Sequence, residues 1–67
     1  MRTEVIFMRE DTRYGEYRKG DTGYIDGYLS LDNVPYIVVV NNRRKMPCLV
    51  MFDGTVIVKI LSGEGDG

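Results

Sequence analysis

Histidine and tryptophan are absent from this 67-residue chain, and cysteine occurs once. A lone thiol without histidine allows neither an intramolecular disulfide nor a zinc site of the usual Cys/His kind. The same absence removes every nucleophile–histidine relay. Neither a Gly-x-Ser-x-Gly elbow nor a Gly-rich phosphate loop ending in Lys-Ser/Thr occurs. The carboxylates are scattered over turns. Asp21 and Asp26 could be paired as acid and base, but they serve equally well as turn and strand-surface residues. No catalytic residue, metal or cofactor is therefore expected.

Long apolar runs are lacking too, so nothing approaches the ~20 residues that cross a bilayer. The start, Met1-Arg2-Thr3-Glu4, has no charged-then-apolar signal pattern. Neither sign of charge dominates: nine basic side chains face ten acidic ones, a net charge of −1. That balance argues against strong non-specific nucleic-acid binding, which rests on a basic footprint. Cys48 lies in the apolar run Cys48-Leu49-Val50-Met51-Phe52 and reads as a small buried hydrophobe. An unpaired thiol fits a reducing, cytosolic setting. The length allows one domain, whose core supplies about 3–5 kcal/mol at most without a staple.

What the chain does have is β-branched runs alternating with turn residues, the pattern of an all-β domain. The spacing predicts strands over residues 3–9, 22–30, 35–41, 46–52 and 55–61, with 62–67 as a glycine-rich disordered tail. Gly20 and Gly23 can supply positive φ at the start of the second strand. Leu31-Asp32-Asn33-Val34 turns into the third, where Asp and Asn tolerate the left-handed region. Asp53-Gly54 signals a two-residue hairpin joining the last two strands. Uninterrupted alternation then points Val5, Phe7, Ile25, Leu29, Val38, Val40, Leu49, Met51, Val56, Val58 and Ile60 inward, with Lys59 facing water. Tyr24, Asp26 and Tyr28 fall on the opposite, solvent face of the second strand. Five strands in meander order hide their edges by curling into a barrel, and Gly27 would mark the tight bend.

The run Tyr17-Arg18-Lys19-Gly20-Asp21-Thr22-Gly23-Tyr24-Ile25 resembles the opening of SH3-like barrels, nearest the KOW subgroup of ribosomal proteins and transcription elongation factors. Gly20, Gly23 and the inward aliphatic Ile25 match that motif's spacing. The resemblance implies a five-stranded antiparallel SH3-like barrel over residues 1–61. It departs in its hairpin signal at Asp53-Gly54, where such barrels place a short 3₁₀ turn. It departs also in its slightly acidic charge, unlike RNA-holding KOW domains. The missing groove tryptophan argues against proline-rich ligands. In size and composition the chain is also similar to small SH3-like proteins encoded by bacteriophages, some of which act on host machinery.

Two surfaces are candidates for function. Tyr14, Tyr17, Tyr24 and Tyr28, with Arg18 and Lys19 as steering charges, suit a protein-binding face, since tyrosine is a rigid amphipathic anchor. The partner would be a larger cytosolic protein, a host enzyme if the bacteriophage likeness holds. Alternatively the turn bearing Arg43, Arg44 and Lys45 suits nucleic acid or an acidic partner. The long loop and that turn emerge at one pole of an up-and-down fold, which brings their basic residues together. The blander readings are a tyrosine cluster packed on itself and a solvated mixed-charge pole.

Overall fold

Asp32 and Asn33 both take positive φ, 51° and 66°, in a computed structural model that describes residues 2–52 and 58–62. Two such residues in succession fold the chain back with the twist that antiparallel strands need. Across this turn lie β2 (Thr22–Leu31) and β3 (Val34–Asn41). They are preceded by β1 (Thr3–Phe7) and followed by β4 (Met46–Met51) and β5 (Val58–Ser62). All pairings are antiparallel, in one five-stranded sheet of order β4-β3-β2-β1-β5. No helix occurs among the described residues, hence none long and apolar enough to cross a membrane. The fold is all-β, as the sequence predicts, and compatible with an SH3-like barrel.

This order corrects the expected meander of five strands. A hairpin at Asp53-Gly54 would set the last two strands side by side, yet β4 and β5 stand at opposite ends of the order. β5 pairs with β1 instead, through Glu4↔Ser62, Val5↔Ile60, Ile6↔Lys59 and Phe7↔Val58. β1 has β2 on one side only, and the return of β5 satisfies the backbone groups on its other edge. Ser62, assigned by composition to the tail, is the last residue of β5. Asp53, Gly54, Val56 and the tail beyond Ser62 lie outside the described residues.

Between Ile25 and Gly27 the register slips, and Asp26 has no partner on β3. One extra residue reverses the inside–outside alternation of everything beyond it. Before the bulge, Gly23 and Ile25 oppose Asn41 and Val39; after it, Gly27 and Leu29 oppose Val38 and Tyr36. The bend predicted at Gly27 is therefore a bulge beside it.

The core consists of Val5, Phe7, Ile37, Val39, Cys48 and Val50, with Tyr17, Ile25 and Val58 packed against it. Val5 and Phe7 are buried as predicted, and Ile25 and Val58 half-buried. Leu29, Val38, Val40, Leu49 and Met51, expected inside, share the opposite face of the sheet. Ile60 is exposed as well. Three physical reasons account for the inversion. β3 is apolar on both faces, so alternation alone does not choose between them. The expected faces of β4 follow from a hairpin with β5, whereas among the described residues β4 pairs with β3 alone, and the bulge breaks the alternation of β2.

Gly20 takes φ 93°, as the turn requires, but Gly23 does not take positive φ. Its need is for space. A Cβ at Gly23 would collide with the Val40 carbonyl oxygen and come within 3.1 Å of Val39 Cγ1.

Candidate functional site

The segment between β1 and β2 is an irregular hairpin. Phe7 N–H donates to Asp21 O at 2.8 Å, Gly20 N–H to Phe7 O at 2.8 Å, and Asp11 N–H to Tyr17 O at 3.0 Å. Asp11 organises the tip, accepting from the backbone N–H of Arg13 (3.0 Å), Tyr14 (3.2 Å) and Glu16 (2.9 Å). Burial pushes its carboxyl up. The three N–H groups and the Arg13 charge outweigh that and hold it below the usual carboxylate value. Tyr17 stacks on Phe7 with ring centroids 4.4 Å apart, sealing the core from the loop side.

Asn41 fastens this loop to the sheet. It is fully buried, and its Nδ2 donates to Glu16 O at 3.2 Å and to Asp21 Oδ2 at 3.0 Å. Its Oδ1 accepts from Arg43 N at 2.8 Å and Arg44 N at 3.4 Å, shaping the turn into β4. Arg43 in turn pairs with Asp21, with 3.0 Å between Nη2 and Oδ2. Arg43 foremost, then Asn41 and the Arg18 N–H, hold the Asp21 carboxyl far below the usual range despite its partial burial. The expected approach of the loop to the Arg43–Lys45 turn is thus found, with Asp21 as the link.

Beside the loop runs an open groove of about 800 Å³. Its loop wall includes Asp11, Arg13, Tyr14, Glu16 and Tyr17, and its strand side includes Leu29, Leu31, Tyr36, Val38, Leu49 and Met51. The register explains why these strand residues meet. Leu29, Tyr36 and Met51 form one cross-strand row, and Val38 and Leu49 another, all on the face away from the core. Pro47 and Cys48 complete the lining, so three consecutive residues of β4 border the groove.

Cys48 is buried, with its thiol 3.3 Å from Val39 O. Burial, then the carboxylates of Glu16 and Asp11, push it up to about 11. It stays protonated and inert at neutral pH, in keeping with its reading as a small hydrophobe. Burial also raises the Tyr17 phenol, aided by Asp11, Cys48 and Glu16. Among the described residues, no three His, Cys, Asp or Glu side chains converge as a metal would require.

The predicted tyrosine face is split up. Tyr14 and Tyr17 belong to the groove, but Tyr24 and Tyr28 lie on opposite faces of β2, because Tyr24 opposes Val40 and Tyr28 opposes Ile37. Tyr24 carries the Arg2 guanidinium 4.1 Å above its ring, and Tyr28 stands exposed away from the groove. The Arg18 N–H and the Arg43 side chain meet at Asp21, and none of Arg18, Lys19, Arg43, Arg44 and Lys45 lines the groove. The leucines and methionine of the groove escape the sequence reading, although one signal for them exists. A strand apolar on both faces, in a single sheet of this size, leaves one of those faces uncovered. The chain matches no protein-family model, no curated protein and no solved structure.

Proposed function

We propose that this protein is an interaction module on an SH3-like barrel, docking a larger cytosolic protein in the groove beside its long loop. The observation that carries this reading is the apolar strand side of that groove. Leu29, Leu31, Leu49 and Met51 are exposed together on one face. A contiguous apolar patch on so small a domain marks a contact surface. Tyr14, exposed at the loop tip, adds an aromatic anchor beside them. The KOW likeness has support in the roles of its motif residues: a positive φ at Gly20, close backbone approach at Gly23, and a half-buried Ile25. If the bacteriophage likeness also holds, the partner is a host enzyme or complex.

The test is affinity capture from the native cytosol with identification by mass spectrometry, repeated with Leu49→Ser. The expected result is a protein retained by the parent chain and weakened about ten-fold by the variant, at unchanged thermal midpoint. Capture indifferent to Leu49→Ser would overturn this reading.

A second reading is favoured by one observation. Arg43 pairs with Asp21 and the Arg18 N–H donates to the same carboxylate, so the turn bearing Arg43, Arg44 and Lys45 meets the end of the loop bearing Arg18 and Lys19. Nucleic acid there would show steep salt dependence, reduced by about one phosphate's worth for Arg44→Ala. A salt titration on random oligonucleotides separates the two, and the near-neutral chain is expected to show no tight binding at physiological ionic strength.

A further inference from the structure

Consecutive residues of a strand point to opposite faces, so a groove confined to one face touches every second residue. This groove is bordered by Pro47, Cys48 and Leu49 in succession. It therefore passes along the side of β4, wrapping from the core face at Cys48 to the outer face at Leu49. β4 ends the sheet order, pairs with β3 alone among the described residues, and carries no charged side chain from Met46 to Met51. Guarded among the described residues by Pro47 alone, that edge is a template for a further strand.

The loop wall adds a charge preference. The Asp11 carboxylate is taken up by three backbone N–H groups and faces Arg13. Glu16 differs. Its N–H is held by Asp11 and its C=O by Asn41, yet among the described residues its carboxylate accepts no hydrogen bond. Its backbone is fixed and its charge is unspent. Both Tyr17 and Cys48 feel that carboxylate as a negative field.

We infer that the groove receives an extended segment of the partner protein, added as a strand along β4, with apolar side chains over Leu49 and Met51 and a lysine or arginine facing Glu16. The inference rests on the docking reading and specifies its ligand. Main-chain hydrogen bonds to the β4 edge would supply affinity, and alternate side chains the selectivity. A second copy of this chain fits less well. Pairing β4 with its symmetry mate would bring a second Asp11 and Glu16 into the same groove, a like-charge juxtaposition.

The experiment selects a random displayed peptide library against the immobilised full chain, and in parallel against Glu16→Lys and Glu16→Gln. The expected pool alternates apolar residues with lysine or arginine. Glu16→Lys should turn that preference toward aspartate and glutamate, and Glu16→Gln should lower affinity for the basic peptides about ten-fold. Bound peptide should slow hydrogen exchange at β4 amides, and N-methylation of its edge-facing amides should abolish binding. Peptides that bind unaffected by N-methylation, or the same pool on Glu16→Lys, would overturn the inference, as would an empty selection. The docking reading is decided separately by capture with Leu49→Ser.

Discussion

The buried side chain of Asn41 donates to the backbone carbonyl of Glu16, twenty-five residues earlier in the chain, at 3.2 Å. A single amide thereby holds the loop wall of the groove against the end of β3. Asn41→Ala should cost about 1–3 kcal/mol, since it strands the half-buried partners that Asn41 now satisfies. The urea midpoint should fall accordingly. Amide exchange should rise in residues 9–19 more than elsewhere in the sheet, and uniform loosening would contradict this role.

Asp21 makes stability depend on acid. Its carboxyl is held far below the ordinary value in the folded chain, chiefly by Arg43. Unfolded, it titrates at about pH 3.9. The stabilisation is fully present above that unfolded value and disappears as pH falls toward the folded one. Asp11 is shifted in the same direction. Urea midpoints should be level near neutrality and fall steadily below about pH 4. Asp21→Asn should flatten that decline, and an unchanged slope would remove Asp21 from the account.

Adjacent residues of β3 give the register its sharpest check. Val39 is fully buried, whereas Val38 lies on the groove face and is half-buried. An unpaired buried charge costs several kcal/mol, about what such a small core provides in total. Val39→Asp should therefore unfold the domain, and Val38→Asp should leave its circular dichroism intact. The reverse outcome would mean that the strand is turned over.

Three glycines should respond to alanine in three ways. At Gly23 the new Cβ meets the Val40 carbonyl, and overpacking against backbone costs about 1–3 kcal/mol. At Gly20 there is room, but φ is 93°, a strain of about 1–2 kcal/mol. Gly27 has neither constraint, so Gly27→Ala should be neutral or stabilise by about 0.4–1 kcal/mol. Denaturant midpoints of the three variants provide the comparison.

Local chemistry made the strands legible. Asp32-Asn33 forms the turn that its residues favour, and Gly20 takes the positive φ that its position demands. What the sequence hides depends on contacts between distant segments. Nothing around Asp26 announces a bulge, and Val38 and Val39 are chemically identical although only Val39 is fully buried. Asn41 reads as a turn residue because its partners, Glu16 and Asp21, sit in a loop far upstream. The groove was invisible for the same reason, because the rows joining Leu29, Tyr36 and Met51 exist only once three strands are in register.

The pairing of Glu4 with Ser62 also sets an order of assembly. β2, β3 and β4 follow one another through short turns and can zip together from neighbouring segments of the chain. The far edge of β1 pairs with β5, the described strand most distant from it in sequence. Non-local pairings of this kind form slowly. Until β5 docks, a finished β2–β3–β4 array stands beside a first strand still open to the wrong neighbours.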